Sequence, residues 1–391
     1  MIPKGWSSQK LSSVASIIDC KHRTPEYVKS GIPLVSPGTI KWGAIDLISP
    51  VKRVTEEEYR SLMDHCVVEQ GDLVMSRNQS VGVVSYVDSK KPFVLGQDTV
   101  LIKPIHADWR FIYYTLQSDL VQRQIAKSAG GSTFSRINLS DIRALNIKTP
   151  AICEQDKISQ ILSAWDKAIS VTESLLTNSQ QQKKALMQQL LTGRKRLLDE
   201  NGVRYGGEWH RAELGAVLDY IQPTPYLVDS TDYNDSYSIP VLTAGKSFIL
   251  GYTNEEHGIY HAPLPAIIFD DFTTDSKFVD FEFKAKSSAM KILTAKNGVS
   301  AKYIFEAMQM LKFKIGGHQR HWISIYSNLV IPVPDTKEQQ KIAAVLSAAD
   351  AEISTLEKKI ACLKGEKKAL MQQLLTGKRR VKVDAEEAVS A

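Results

Sequence analysis

Lys183-Lys184-Ala185-Leu186-Met187-Gln188-Gln189-Leu190-Leu191-Thr192-Gly193 recurs letter for letter as Lys367-Lys368-Ala369-Leu370-Met371-Gln372-Gln373-Leu374-Leu375-Thr376-Gly377. The copies lie 184 residues apart, and the offset holds without a gap back to Glu154-Gln155 and Glu338-Gln339. Of the 43 pairs between 154–196 and 338–380, 23 are identical. The chain is a tandem duplication, and a duplicated chain usually does one job twice. The period is too long for a solenoid, so each copy reads as a domain followed by a connector.

The connectors read as long amphipathic helices. With Ile342 at heptad position a, the a set is Ile342, Ala349, Leu356, Leu363 and Leu370. The d set is Leu346, Ile353, Ile360, Lys367 and Leu374. The first copy gives Ile158, Trp165, Thr172, Ser179 and Leu186 at a, and Leu162, Ile169, Leu176, Lys183 and Leu190 at d. Five heptads of this kind form a coiled-coil seam, with Lys183 and Lys367 as matching polar breaks. Each run of about 39 residues extends about 58 Å at 1.5 Å per residue. Gly193 and Gly377 end the helices. The basic clusters Arg194-Lys195-Arg196 and Lys378-Arg379-Arg380 follow, where positive charge suits a helix C-terminus. A globular domain separates the two helices, so the second can return antiparallel to the first, placing the globes at opposite ends of a rod. The alternative is that each stripe is buried against a neighbouring domain.

Length sets the rest of the frame. The 391 residues allow two to three domains, each with its own core. Apolar content of 43% and charged content of 24% are those of an ordinary globular protein. No run of about 18 apolar residues supports a membrane span. The start, Met1-Ile2-Pro3-Lys4-Gly5-Trp6, lacks the apolar core of a signal peptide. Cys20, Cys66, Cys153 and Cys362 show no C-x-x-C pairing, which argues against a zinc site and fits a reducing cytoplasm. A net charge of +6 permits nucleic-acid binding without demanding it.

Residues 1–150 read as mixed α/β. Strands are expected at Ile32–Val35, Gly71–Met75, Val81–Val87 and Thr99–Ile102, with a helix from Asp108 to about Lys127 closed by Gly130-Gly131. Residues 203–334 echo this plan more faintly. Trp6, Leu11 and Val14 match Trp209, Leu214 and Val217; Phe111-Ile112-Tyr113 matches Tyr303-Ile304-Phe305; Gly130-Gly131 matches Gly316-Gly317. Divergent globes on nearly copied struts imply that specificity varies in the globes while the struts fix assembly.

These features resemble the specificity subunit of type I restriction–modification systems, over essentially the whole chain. The resemblance rests on Gly5-Trp6 and on Gly71-Asp72-Leu73-Val74-Met75-Ser76-Arg77. It rests further on the exit Ile137-Asn138-Leu139-Ser140-Asp141-Ile142 with Pro150, on Glu154-Gln155-x-Lys157-Ile158, and on the repeated helix end. The second half has Pro265-Ala266-Ile267-Ile268-Phe269-Asp270-Asp271 in place of the Gly-Asp strand, so the halves should read different DNA sequences.

The resemblance implies an α+β fold: two mixed α/β target-recognition domains joined by two long helices that pair as an antiparallel coiled coil, with a pseudo-two-fold internal repeat. The domains fall at 1–152 and 198–336, the helical spacers at 153–197 and 337–381, and a disordered tail at 382–391. Each globe would bind one half of a split site on double-stranded DNA. The helices would set the gap and carry two adenine-N6 methyltransferase subunits, which recruit the restriction and translocase subunits. This chain would catalyse nothing and hold no cofactor; S-adenosylmethionine, ATP and Mg belong to the partners. The setting would be the cytoplasm of a bacterium or archaeon.

The motifs agree. There is no Asn/Asp-Pro-Pro-aromatic tetrapeptide, no G-x-G-x-x-G and no G-x-x-x-x-G-K-S/T. Ser128-Ala129-Gly130-Gly131-Ser132-Thr133 has glycines but no following lysine. Asp270 or Asp271 with Glu282 and Lys284 resembles a metal-nuclease constellation. Against it, Val279, Phe281, Phe283 and Ala285 alternate with Asp280, Glu282, Lys284 and Lys286, as in a half-buried strand with its charges facing water. Cys20 and His22 lack further metal ligands in sequence.

Candidate DNA readers follow from residue type and loop position, because Arg, Asn, Gln, Lys and small hydroxyls read base edges while Lys, Arg and hydroxyls hold phosphates. In the first globe they are Lys21, His22 and Arg23; Arg77, Asn78, Gln79 and Ser80; and Ser132, Thr133 and Arg136. In the second they are Gln222, Thr224 and Tyr226; Thr273, Thr274 and Lys277; and His318, Gln319, Arg320 and His321. Arg77, at a strand end, and Arg320, after the Gly-Gly turn, lead. Two other functions compete: a coiled-coil scaffold without DNA contact, and a metal nuclease built on Asp271, Glu282 and Lys284.

Overall fold

The computed structural model describes residues 2–49, 52–130, 135–243, 245, 247–311 and 321–383. The expected tail lies outside the described residues from 384 onward. The chain divides into two compact units, 1–172 with 359–391, and 173–358. Both long helices cross the division, so each unit contains a stretch of each.

In unit 1 the elements run β1 (Ser7–Lys10), β2 (Ala15–Asp19), β3 (Ile32–Val35), β4 (Gly43–Ala44), β5 (Arg53–Val54), α1 (Glu56–Met63), β6 (Leu73–Ser76), β7 (Val84–Tyr86), β8 (Val94–Leu95), β9 (Thr99–Pro104), α2 (Trp109–Gln117), α3 (Asp119–Ala129), α4 (Leu139–Ala144) and β10 (Asn146–Thr149). The first long helix, α5, is Ile152–Leu190. A five-stranded sheet has the order β2-β9-β6-β7-β4, a small sheet β5-β3-β8, and β1 pairs with β10.

Unit 2 repeats this plan, without a counterpart of β4 among the described residues. Its elements are β11 (His210–Glu213), α6 (Leu214–Val217), β12 (Leu218–Ile221), β13 (Ile239–Leu242), β14 (Ile249–Thr253), β15 (Ala266–Asp270), β16 (Ser276–Val279), β17 (Lys284–Ala285), β18 (Met290–Ala295), α7 (Ala301–Gln309), α8 (His321–Ser324) and β19 (Val330–Val333), before α9 (Thr336–Leu374). The sheet β12-β18-β15-β16 answers β2-β9-β6-β7, β14-β13-β17 answers β5-β3-β8, and β11-β19 answers β1-β10.

Two local expectations need correction. The helix from Asp108 breaks at Ser118, whose backbone is extended (φ −63°, ψ 145°). Its hydroxyl donates to the Thr115 carbonyl at 2.6 Å and accepts from the Val121 amide, closing α2 and capping α3. The half-buried strand across 279–285 is not continuous. β16 stops at Val279, Phe281 is exposed, and Lys284 is fully buried. Burial of that ammonium is tolerated because it pairs with Glu255 and donates to the His257 carbonyl at 2.7 Å.

Each long helix spans 39 residues. In unit 1, Ile158 and Leu162 of α5 share a core with Leu374 and Leu375 of α9. Glu154 meets Arg380 and Asp166 meets Lys367, both within 2.7 Å, so α5 numbers rise as their partners fall and the pairing is antiparallel. In unit 2 the same sense holds, with Ser179 on Glu352, Lys183 on Asp350 and Arg196 on Glu338. Among the seam positions Ile158, Leu162, Ile169, Leu190, Ile342, Leu346, Ile360 and Leu374 are buried. Trp165, Leu176, Leu186, Ile353, Leu356, Leu363 and Leu370 are half-buried, and none is exposed.

The polar pairs repeat at the 184-residue offset of the sequence. Arg380 grips Glu154 through Nε and Nη2, both at 2.7 Å; Arg196 grips Glu338 at 2.6 and 2.7 Å. These two-pronged bonds hold each guanidinium's pKa above its ordinary value. Gly377 follows its helix at φ +69°, where a Cβ would collide with Pro3 Cγ at 2.4 Å, so glycine is required for both conformation and space.

Candidate nucleic-acid interface

The sheet of unit 1 brings His22, the loop after Arg77 and Arg136 to one end. Arg77 follows β6 and Asp19 ends β2; Arg77 Nη1 donates to Asp19 Oδ1 at 2.8 Å and its Nε to the Ile137 carbonyl at 3.2 Å. His22 Nε2 lies 3.0 Å from the other Asp19 oxygen. Asp98 accepts from Asn78 Nδ2 at 2.6 Å and pairs with Arg136 at 2.7 Å. Asn78 and Arg136 also form an antiparallel bridge. Ser80 Oγ donates to the Pro37 carbonyl at 3.0 Å. Loops more than 50 residues apart are thus tied into one surface. Lys21 turns away to Asp64 and the Ser61 carbonyl. Arg23 turns to Glu58 of α1, whose carboxyl its hydrogen bonds hold below the usual range. Ser132 and Thr133 lie outside the described residues.

Arg77 sits at the strand end as expected, but its side chain points inward. It is 5% exposed, with its guanidinium committed to Asp19 and Ile137. It fixes the loop that follows and leaves Gln79 exposed at its tip, on a left-handed backbone of φ +56°.

Unit 2 converges in the same way at the corresponding strand ends. Asp271 follows β15; Lys291 of β18 lies 3.7 Å from its carboxylate and donates to Gln222 Oε1 at 3.0 Å. The Asp271 carbonyl accepts from the His321 amide at 3.0 Å, and its carboxylate from the Trp322 amide at 2.9 Å. The buried charge pair therefore has inverted polarity: a cation follows the strand in unit 1 and an anion in unit 2. Both satisfy the same rule that a buried charge needs a partner. Thr224 and Thr273 are exposed, Thr274 turns the β15–β16 hairpin at φ +61°, and Lys277 is half-buried on β16. Tyr226 packs edge-on against Tyr260 at 5.0 Å. His321 is buried, so its ring holds the loop base. His318, Gln319 and Arg320 lie outside the described residues.

Asp271, Glu282 and Lys284, the residues of the nuclease reading, each hold a different partner. Asp271 is held by Lys291, Glu282 by His261 at 2.8 Å, and Lys284 by Glu255. Among the described residues, two groups bring three metal-ligating side chains within 4.8 Å: Asp19, Cys20 and His22, and Asp229, Glu255 and His257. In the first, Asp19 already serves Arg77, and burial pushes the Cys20 thiol up, away from the thiolate a metal needs. In the second, Glu255 is already neutralised by Lys284.

Sequence reasoning missed Asp19 and Asp98 as the acceptors that organise these loops, because scattered carboxylates carry no motif, and it singled out Asp271 only as part of a nuclease constellation. It also missed the Arg196–Glu338 and Arg380–Glu154 clamps, although a signal existed. Of each basic triplet only Arg196 and Arg380 are identical at the repeat offset, as are Glu154 and Glu338.

Comparison with known proteins agrees with this construction. The sequence matches the family described as Type I restriction modification DNA specificity domain over residues 3–178 and 207–364. It is 54% identical over 145 residues to the type I restriction enzyme EcoR124I/EcoR124II specificity subunit of Escherichia coli, a match spanning 36% of this chain and 35% of that protein. It is 25% identical to the putative type I restriction enzyme MjaX specificity subunit of Methanocaldococcus jannaschii, over 97% of this chain and 95% of the relative. The solved S subunit of the type I restriction–modification system from M. genitalium shares the fold, with a TM-score of 0.67 at 16% identity over 96% of both chains. These relatives are named for specificity and not for catalysis. No helix among the described residues is long and apolar enough to cross a membrane. The chain belongs to the type I restriction–modification DNA specificity family, as a specificity subunit rather than a catalytic one.

Proposed function

We propose that each globular half, 1–152 and 198–336, binds one half of a bipartite site on double-stranded DNA. The helical spacers 153–197 and 337–381 set the gap and dock two adenine-N6 methyltransferase subunits, through which restriction subunits join. S-adenosylmethionine, ATP and Mg act in those partners, in the cytoplasm. The observation that carries this reading is the convergence, twice over, of distant polar loops onto equivalent strand ends. Buried pairs fix each loop base while Gln79, Arg136, Thr224 and Thr273 keep exposed polar groups of the kinds that meet phosphates and base edges. Unequal loop sequences on equal scaffolds fit two different half-sites read by one architecture.

The test is a DNA shift by the complex assembled with its methyltransferase subunits, over a range of salt. Phosphate contacts release counterions, so log affinity should fall linearly with log salt, at a slope of roughly 0.9 per contacted phosphate. An assembled complex that binds no DNA would favour the scaffold reading instead.

A further inference from the structure

Loops of unit 1 enclose an open cleft of about 410 Å³ whose walls include Tyr27, Lys52, Asn78, Gln79 and Gln97. We infer that Gln79 reads an adenine edge in the half-site of unit 1, with Lys52 holding a neighbouring phosphate. This inference rests on the DNA-binding reading above and names the specificity-determining side chain within it.

Four hydrogen bonds immobilise the loop around Gln79. Arg77 is held by Asp19, Asn78 by Asp98, the Asn78 carbonyl accepts from Ser76 Oγ at 2.6 Å, and Ser80 is held by the Pro37 carbonyl. Gln79 itself is exposed, and its carboxamide has no hydrogen-bond partner among the described residues. Its positive φ is costly for a non-glycine residue, and the surrounding bonds are what maintain it. A carboxamide so presented offers one donor and one acceptor on a rigid base, the pair that matches adenine N6 and N7 in the major groove. Across the cleft Gln97 is also exposed, but its Nε2 donates to Thr24 Oγ1 at 3.1 Å and ties down one end of its carboxamide, whereas both ends of the Gln79 carboxamide are open. Lys52 has no carboxylate partner among the described residues; its ammonium lies 4.8 Å from the centre of the Tyr27 ring, a fixed positive charge at the cleft wall.

The experiment uses the full chain assembled with its methyltransferase subunits, with genome-wide adenine-methylation mapping as readout. Gln79→Ala should relax one A·T position in one half-site by roughly 5- to 150-fold and leave the other half-site unchanged. Gln79→Gly should give the same relaxation. Glycine accepts the left-handed backbone without strain, so the loss then belongs to the side chain and not to a distorted loop. Gln79→Glu should shift preference at that position toward cytosine, whose N4 donates to a carboxylate. Lys52→Ala should weaken all sequences alike and lower the salt slope by about 0.9. The assignment is overturned if Gln79→Ala and Gln79→Gly leave every recognised base as before, or if relaxation falls in both half-sites. If the unaltered complex shows no salt-dependent DNA binding, the DNA-binding reading fails first and takes this inference with it.

Discussion

Lys183→Met and Lys367→Met change two lysines that stand in identical eleven-residue stretches, yet the consequences should differ. Lys183 lies 2.6 Å from Asp350 and 3.2 Å from Glu306, a carboxylate with no exposed surface, and Lys302 completes the group at 2.7 and 2.8 Å from the same two acids. Two cations and two anions balance there. Lys367 instead meets Asp166 alone among the described acids, a side chain 42% exposed, and lies over the Tyr114 ring at 5.2 Å. Tyr114 takes the place that Glu306 holds in unit 2, and its hydroxyl donates to Asp166 at 2.7 Å. Breaking a buried pair costs about 3–5 kcal/mol. Because Lys302 still holds both acids, Lys183→Met should cost about 2–3 kcal/mol by the same reasoning. Lys367→Met removes a pair whose acid is half-exposed and still held by Tyr114, and it leaves no fully buried carboxylate unpaired, about 0–1 kcal/mol. At roughly 2–4 °C per kcal/mol for a unit of this size, the two variants should differ in unfolding temperature by about 4–8 °C. Thermal unfolding followed by circular dichroism and by hydrogen exchange in each unit reads this directly. Equal losses at the two sites would refute the claim that the surroundings, and not the repeated seam, set the cost.

Three further predictions concern the clamps, acid stability and spacing. Arg380→Ala frees the Lys4 carbonyl and leaves Glu154 without its cation. It should raise amide exchange across residues 3–10 by roughly 5- to 30-fold, the equivalent of about 1–2 kcal/mol, and Arg380→Lys should not restore protection because a point charge cannot make the two-pronged bond. Burial pushes the Asp350 carboxyl up, but hydrogen bonds from Lys183 and Lys302 outweigh it, so its folded pKa lies below the ordinary value. That stability is present above about pH 4 and is lost as pH falls through the folded value; Asp350→Asn should flatten the acid limb of the unfolding curve, and an unaltered limb would remove Asp350 from the explanation. Four residues inserted into α5 between Thr172 and Glu173 add about 6 Å, nearly one turn, and should lengthen the gap between half-sites by roughly one to two base pairs at about 3.4 Å each; an unchanged gap with activity retained would mean that the helices do not set it.

The helices were the most legible part of the sequence because a seam is a period, and a period survives as pattern whatever surrounds it. Every apolar seam position is buried or half-buried, and the lysine breaks fall where the heptads put them. The globes were legible only as strands and turns. The break at Ser118 was hidden because Phe111, Ile112, Leu116, Val121 and Ile125 keep one apolar face across both helices; only the local hydroxyl bonds of Ser118 separate them. Alternation places Lys284 toward solvent because it assigns faces without knowing that Glu255 waits inside. The candidate loops were found by composition, but which side chains turn outward depended on tertiary partners. Arg77 and His321 were drawn inward by Asp19 and Asp271, while Gln79 was left at the surface.

Adenine-methylation mapping of a chain whose residues 1–150 are replaced by the matching half of a relative, assembled with its own methyltransferase subunits, tests the central claim most directly. Two independent recognition modules predict that one half-site changes to the relative's sequence while the other half-site stays as it was. A change in both half-sites, or in neither, would contradict the assignment of one globe to one half-site.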